Sequence, residues 1–129
     1  MVLAQDGVVI KVVLVEDDAK IVDLVSLILE PEPGVSLTYG GWDAAALMDE
    51  AIWQDVDVAI VDLLLPRTTG DELLDWLTLH APHVRRIATS AAGRVRLERV
   101  ANADVWLLKP FMMDDLIDAV TPQEALACP

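Results

Sequence analysis

The sequence predicts an α/β fold with a five-stranded parallel sheet of order 2-1-3-4-5, doubly wound by helices. Strand-like and helix-like segments alternate five times along the 129 residues, which is the pattern of right-handed βαβ units. The strand-like segments are nearly uninterrupted apolar runs, as expected of strands that are covered on both faces. Hydrophobic residues make up 54% of the chain, enough for a full core. For five strands, 2-1-3-4-5 is the simplest doubly wound order.

Two strand–helix units are predicted in the first half of the chain. The β-branched run 8–15 predicts the first strand, and residues 18–30 predict the first helix. The apolar stripe of that helix consists of Ile21, Val25, Ile28 and Leu29. Residues 35–39 predict the second strand, and Asp43 can cap a helix that runs through Trp53.

The second half of the chain predicts three more strands and three more helices. In chain order these are a strand at 56–62, a helix at 71–80, a strand at 84–90, a weakly amphipathic helix at 94–102, a strand at 105–108 and a helix at 113–120. The inward positions of the helices at 71–80 and 113–120 are Leu73, Trp76, Leu77, Met113, Leu116, Ile117 and Val120. Because no linker or repeat interrupts the chain, we expect a single domain at 1–129, with its core at about 8–120 and a tail at 121–129.

Composition and charge exclude several classes of protein. The net charge of −13 opposes binding to nucleic acid and to anionic membranes, and no basic segment remains once the strands and helices are assigned. No leader peptide is visible at the N-terminus, and no apolar stretch is long enough to span a bilayer. The single cysteine, Cys128, cannot form an internal disulfide, which fits a reducing compartment. We therefore expect a cytoplasmic protein.

Acidic residues stand where the first and third predicted strands end. Glu16, Asp17 and Asp18 follow the first strand, and Asp62 ends the central strand beside it. Because the carboxyl ends of parallel strands meet in the crevice where such folds bind ligands, we expect these carboxylates to lie together. Their mutual repulsion favours a bound cation, and oxygen ligands suit Mg²⁺ or Mn²⁺ rather than zinc. A solvated acidic turn is the alternative for the triplet alone.

Polar side chains at the ends of the fourth and fifth strands could support phosphoryl transfer to Asp62. A carboxylate can attack phosphorus and form an aspartyl phosphate when a cation and hydrogen-bond donors surround the phosphoryl oxygens. Ser90 or Thr89, at the end of the fourth strand, and Lys109, at the end of the fifth, can supply such groups. The alternative for Asp62 is an aspartate that caps the following turn.

Taken in order, these residues resemble the receiver domain of two-component response regulators, a family of bacterial signalling proteins with a CheY-like, flavodoxin-like (βα)5 fold. The resemblance covers about 8–120. Each motif is weak alone, but the set in this order and spacing is specific. The set consists of Glu16 and Asp17, the run DLLLPRTTG from Asp62 to Gly70, Ser90-Ala91, Trp106, and Lys109-Pro110-Phe111.

The resemblance implies a phosphoprotein in a phosphorelay, with Asp62 as the phosphoacceptor. It implies that Mg²⁺ is bound by Asp17, Asp62 and the backbone carbonyl of Leu64, while Glu16 acts partly through water. Glu16 stands where aspartate is more usual in the family. The phosphoryl donor would be a histidine of a sensor histidine kinase or phosphotransfer protein. The chain would be a signalling module, with slow autodephosphorylation, rather than an enzyme.

The resemblance also implies how phosphorylation would be transmitted. Ser90, with Thr89 as the second choice, takes the role of the switching hydroxyl, and Lys109 holds the phosphoryl group. Trp106 is the aromatic residue whose rotamer follows the switch. Because Trp106 is bulkier than the usual tyrosine or phenylalanine, a fixed core residue is the alternative for it.

The expected downstream partner is a protein that binds the face formed by the fourth helix, fifth strand and fifth helix. Arginines near the fourth helix could also meet aspartates of a second copy's fifth helix in a homodimer, but we favour a solvated mixed-charge surface because surface ion pairs are individually weak. These residues are Arg85, Arg86, Arg94, Arg96, Arg99, Asp114, Asp115 and Asp118.

Three other functions are weaker alternatives. A small phosphatase with an aspartate nucleophile generally needs a second carboxylate two residues later, where this chain has Leu64. A receiver-like scaffold that acts without phosphorylation is disfavoured by the complete residue set. A nucleotide-binding protein is disfavoured because acids rather than a glycine-rich loop follow the first strand.

Overall fold

The computed structural model of the protein describes residues 9–91 and 102–121. Its core is one parallel sheet in the order β2-β1-β3-β4-β5, which confirms the predicted α/β fold and strand order. The strands are β1 (Ile10–Val15), β2 (Val35–Gly41), β3 (Val58–Asp62), β4 (Arg85–Ser90) and β5 (Val105–Leu108).

Helices cover both faces of the sheet. They are α1 (Ala19–Leu29), a single 3₁₀ turn (Ala45–Leu47), α2 (Glu50–Trp53), α3 (Gly70–His80) and the C-terminal helix (Met113–Val120). Apart from Asn102 and Thr121, the predicted helix at 94–102 and the predicted tail at 121–129 lie outside the described residues. Among the helices that are described, none has the length and apolar character needed to cross a membrane.

The prediction of one helix from Asp43 through Trp53 is wrong, because the chain breaks between the 3₁₀ turn and α2. A continuous helix would bond the Ala51 N–H to the Leu47 carbonyl. Instead, the Ala51 N–H donates to Asp49 Oδ1 at 3.0 Å, and the Leu47 carbonyl accepts from Trp53 Nε1 at 2.7 Å. The N–H and the carbonyl that a continuous helix would join therefore have other partners. The partner of the carbonyl is the indole of the fully buried Trp53.

Two hydrophobic clusters lie on opposite faces of the sheet, and β3 is buried along its whole length. The first cluster packs the sheet against α2 and α3 through Val13, Val15, Ala59, Val61, Trp53, Leu73, Leu74 and Leu77. The second packs it against α1 and the C-terminal helix through Val12, Leu14, Ile60, Ile87, Val25, Leu29, Leu116 and Val120. These sets follow the strand and helix periodicities of the sequence.

Most of the predicted inward positions are confirmed, and one is wrong. Ile21, Trp76 and Ile117 are partly buried against the clusters. Met113, by contrast, is 55% exposed. Met113 is the first residue of the C-terminal helix. That helix packs on the sheet through residues nearer its other end, among them Ala119.

The turn from β3 to α3 places Asp62 against the start of a helix. Gly70, the first residue of α3, donates its N–H to the Leu63 carbonyl at 3.2 Å. A Cβ atom on Gly70 would lie 2.0 Å from the Asp62 carbonyl oxygen and 2.8 Å from the Leu63 Cα. Only glycine permits this close backbone approach. The glycine eight residues after Asp62 is therefore explained by packing around that aspartate.

We expect Gly70→Ala to lower the free energy of unfolding by about 2–3 kcal/mol, because the methyl group meets backbone atoms that cannot move without displacing Asp62. Urea unfolding would measure the loss. Gly40→Ala is the comparison, because its Cβ would meet a Val13 methyl group at 2.7 Å and a backbone atom, the Leu14 carbonyl oxygen, only at 3.3 Å. It should cost about 1 kcal/mol less than Gly70→Ala. Equal losses in the two variants would contradict this account of Gly70.

Candidate functional site

Three carboxylates meet at the carboxyl ends of β1 and β3. Glu16 and Asp17 directly follow β1, and Asp62 is the last residue of β3. One oxygen from each of the three lies within 4.8 Å of the other two. Glu16 is 1% and Asp62 is 4% exposed, whereas Asp17 is exposed. The cluster therefore has a buried floor and one ligand at the solvent edge.

A single ammonium group joins the two buried carboxylates. Lys109 Nζ lies 2.8 Å from Glu16 Oε1 and 3.2 Å from Asp62 Oδ2. Lys109 directly follows β5, and its backbone N–H donates to the Ser90 carbonyl at 3.0 Å. The sheet thus brings together residues that are far apart in sequence, as the strand order predicts.

Backbone groups hold the carboxylates in place. The Leu64 N–H donates to Asp62 Oδ1 at 3.0 Å, and the Asp18 N–H donates to Glu16 Oε2 at 3.1 Å. Asp18 itself caps α1, because its Oδ1 accepts from the Lys20 N–H at 2.9 Å. The acidic triplet is therefore divided between the cluster, to which Glu16 and Asp17 belong, and the start of a helix.

Tyr39 is a site residue that the sequence reasoning missed. Its hydroxyl donates to the Glu16 carbonyl at 2.6 Å, and the Glu16 N–H donates to the Gly41 carbonyl at 3.0 Å. The end of β2 thus fixes both backbone groups of Glu16. The sequence contained one sign of this role, because Tyr39 is a polar aromatic residue near the end of the strand that neighbours β1.

The pKa values in the cluster reflect burial and crowding. The pKa of Glu16 is raised to about 7, chiefly by burial; the hydrogen bond with Lys109 opposes the rise, and the Asp62 carboxylate adds to it. Burial alone would lower the pKa of Lys109, but the hydrogen bond with Glu16 and the charge of Asp62 outweigh it and raise that pKa. Lys109 therefore remains protonated, and the cluster has more carboxylates than the one ammonium can neutralise.

The donor set fits a hard divalent cation. All the side-chain ligands are carboxylate oxygens, which suit Mg²⁺ or Mn²⁺ rather than softer metals. Mg²⁺ typically uses one or two carboxylates and keeps several waters, which the exposed Asp17 edge would allow. The backbone carbonyl of Leu64 as a further ligand, and a water between Glu16 and the ion, stay predictions.

Two hydroxyl residues end β4, and the strand register separates them. Thr89 pairs with Asp62 of β3, whereas Ser90 pairs with Leu108 of β5. Ala88 pairs with Trp106, so by alternation Ser90 and Trp106 lie on the same face of the sheet. Both hydroxyl residues are buried. The shared face supports Ser90 as the residue that acts with Trp106, although the switching roles themselves stay predictions.

Trp106 is not a core residue in this structure. Its side chain is 44% exposed, and the next residue of β5 on the same face, Leu108, is 39% exposed. The alternative that Trp106 is a fixed core side chain is thus not supported.

Curated relatives of this chain include transcriptional regulatory proteins. It is 29% identical over 117 residues to the transcriptional regulatory protein TrcR of Mycobacterium tuberculosis, covering 87% of this chain and 44% of that protein. It is 30% identical over 112 residues to the transcriptional regulatory protein CpxR of Klebsiella pneumoniae, covering 83% of this chain and 46% of that protein. The chain therefore spans about half the length of these relatives.

Solved structures match the fold, and a family model identifies the family. A CheY-like response regulator receiver domain from Methanospirillum hungatei matches with a TM-score of 0.75 and 25% identity, covering 92% of this chain and 94% of that one. CheY in a CheX–CheY–BeF₃–Mg²⁺ complex from Borrelia burgdorferi matches in fold, with a TM-score of 0.78, 20% identity and coverage of 91% and 90%. A family model described as the response regulator receiver domain matches residues 12–121, so this chain belongs to the response regulator receiver domain family.

Proposed function

We propose that this chain accepts a phosphoryl group on Asp62, with Mg²⁺, from a sensor histidine kinase or phosphotransfer protein in the cytoplasm. The observation that carries the proposal is the Lys109 ammonium, which contacts the buried carboxylates of Glu16 and Asp62 at 2.8 and 3.2 Å. Asp17 supplies a third carboxylate at the exposed edge of this cluster. The whole chain, 1–129, then acts as a single receiver domain.

The transfer uses the Asp62 carboxylate as the nucleophile. One carboxylate oxygen forms a bond to phosphorus while the P–N bond to the donor histidine breaks, and the electron pair of that bond stays on the imidazole. Before transfer, Lys109 pairs with Asp62; afterwards, its ammonium balances the added charge. Bound Mg²⁺, held by Asp17 and Asp62 with Glu16 nearby, would neutralise the phosphoryl oxygens.

The proposed output is a change at a protein-binding face. Ser90 would move toward the phosphoryl group, and Trp106 would follow on the same face of the sheet. The downstream target would bind the surface formed by β5 and the C-terminal helix, with the predicted fourth helix, of which only Asn102 is among the described residues. The chain would act by binding its partners rather than by turning over a substrate.

A homodimer through this face receives less support than the target surface. Arg85 donates through Nε to the Ala119 carbonyl at 2.8 Å, and Arg86 forms an ion pair with Asp104 at 3.6 Å. Two of the arginines that were considered for the dimer are therefore engaged within the chain. The others lie outside the described residues.

Asp62→Asn should abolish phosphorylation by acetyl phosphate with Mg²⁺, because an amide oxygen is a poor nucleophile. Intact-protein mass spectrometry measures this as loss of the phosphoryl mass increment. Asp18→Asn is the matched control, since asparagine can still cap α1, and it should be labelled like the wild type. Labelling that survives Asp62→Asn would place the acceptor elsewhere.

The phosphoryl group on Asp62 should persist for minutes or longer. The residue two positions after Asp62 is Leu64, which is 46% exposed and offers no polar group to orient water. Replacing it with asparagine should shorten the half-life by about tenfold, on the scale of one positioned general-base or orienting group. Decay of the phosphoryl mass after donor removal measures this. A wild-type half-life of seconds would contradict the prediction.

Mg²⁺ binding should be coupled to loss of the Glu16 proton. Because the pKa of this carboxyl is raised from 4.5 to about 7, the protonated form is favoured in the metal-free folded state. The free energy of unfolding without metal should then fall as pH rises from about 4.5 through about 7. Mg²⁺ affinity should rise about tenfold between about pH 6 and about pH 8, since the cation displaces this proton.

Calorimetry in buffers of different ionisation enthalpy would count the protons released on Mg²⁺ binding. In Glu16→Gln the pH dependence should flatten, because the group that titrates has been removed. A wild-type affinity that does not change over this pH range would show that Glu16 is already ionised without the metal.

A further inference from the structure

Arg67 lies in the loop between β3 and α3 in an unusual backbone conformation. Its φ is 64°, and within 9–91 and 102–121 no other residue except glycine has a positive φ. An L-residue with a side chain rarely adopts this region, and arginine has no local hydrogen bond with which to stabilise it. A contact elsewhere must therefore compensate.

That contact is made with Trp42. The guanidinium carbon of Arg67 lies 5.6 Å from the centroid of the Trp42 ring, within the range of a cation–π interaction. Trp42 directly follows β2 and is 40% exposed. We call this contact the Arg67–Trp42 bridge.

The bridge crosses the end of β1. Because β1 lies between β2 and β3, a contact from the β3–α3 loop to the residue after β2 must pass over the place where β1 ends. Glu16 and Asp17 are located there, and the Glu16 N–H donates to the carbonyl of Gly41, the neighbour of Trp42. The bridge therefore places a guanidinium at the β2 side of the acidic crevice.

The charge of Arg67 is not neutralised by an ion pair. In the part of the chain that the structure describes, the ion pairs are formed by His80, Arg86 and Lys109, and no carboxylate lies within 4.0 Å of Arg67. This is notable in a chain with 22 acidic and 9 basic residues. Lys109, by contrast, is occupied by Glu16 and Asp62.

We propose that Arg67, held by Trp42 beside the crevice, is a positioning residue that speeds the approach of small, doubly charged phosphodonors, for which an acyl phosphate serves as the probe. The inference rests on the proposed function. In that reaction an Asp62 oxygen bonds to phosphorus, the bond from phosphorus to the acyl oxygen breaks, and a carboxylate leaves with the electron pair. Arg67 acts on the approach of the anion to an acidic cleft, where a single cation at the rim changes the local field.

An electrostatic role for Arg67 predicts opposite changes in two measurable quantities, the reaction rate with the donor and the affinity for Mg²⁺. Removing a positive charge near the crevice should slow reaction with an anionic donor and, at the same time, tighten binding of Mg²⁺. If Arg67 served only to shape the loop, its loss would weaken both or neither. Opposite changes in the two quantities therefore identify an electrostatic role.

The test compares Arg67→Gln, Arg67→Lys and Arg67→Gly at low salt, with acetyl phosphate as the donor. In the glutamine and glycine variants the second-order rate constant should fall about fivefold, and Mg²⁺ affinity should rise about twofold. Arg67→Lys should keep most of the rate. Glycine relieves the backbone strain at a φ of 64°, whereas glutamine keeps it, so equal losses in Arg67→Gly and Arg67→Gln point to the lost charge rather than to the backbone.

Lys11→Gln is the matched control for net charge. Lys11 lies near the amino end of β1, at the opposite edge of the sheet from Glu16, and its loss changes the net charge by the same amount. This variant should react like the wild type. Raising the salt to about 1 M, where the Debye length is about 3 Å, should also remove the difference between Arg67→Gln and the wild type.

Variants of Trp42 test the bridge itself. Trp42→Phe keeps an aromatic face and should react like the wild type, whereas Trp42→Leu should slow the reaction about twofold because the guanidinium is no longer held. A wild-type rate in Arg67→Gln at low salt, or an equal loss in Lys11→Gln, would overturn the inference. Asp62 would still be labelled in those outcomes, so the proposed function would stand; a wild type that is not labelled at all would overturn both.

Discussion

Two buried carboxylates share one ammonium group in this protein, and the rest of the site is arranged around that imbalance. Lys109 contacts Glu16 and Asp62, while Asp17 adds a further carboxylate within reach of the same point. Removing one partner from a buried ion pair typically costs about 3–5 kcal/mol, because a charge is left without compensation. Here the carboxylates outnumber the ammonium from the outset, and burial is the main cause that raises the pKa of Glu16 to about 7.

The parallel sheet makes this arrangement possible by gathering strand ends at one edge. β3 is buried on both faces, so Asp62 can be buried at its end while the aspartate's backbone packs against Gly70. β2 contributes no ligand, yet its end fixes both backbone groups of Glu16, and β5 brings Lys109 in from the other side. The precision of the site therefore comes from backbone contacts between neighbouring strands more than from the acidic residues themselves.

The features that could be predicted from the sequence are those that depend on the periodic spacing of apolar residues or on local motifs. Strand order followed from apolar runs alternating with helices, and the meeting of Glu16, Asp62 and Lys109 followed from that order. The break before α2 was missed because it depends on the indole of Trp53. Tyr39 and the contact between Arg67 and Trp42 were missed for a different reason: each joins segments that come close only once the sheet has formed.

The contacts of Lys109 also link Asp62 to the edge of the sheet. Lys109 is bonded through its side chain to Asp62 and through its backbone to Ser90, so one residue belongs both to the charged cluster and to the β4–β5 ladder. Added charge on Asp62 must alter how the ammonium divides its contacts between the two carboxylates. In the proposed function, such a change would reach β4 and β5 through these contacts, and Trp106 and Leu108 of β5 are exposed. The lysine that pairs with the buried carboxylates thus also connects the cluster to the strand whose exposed residues belong to the proposed partner surface.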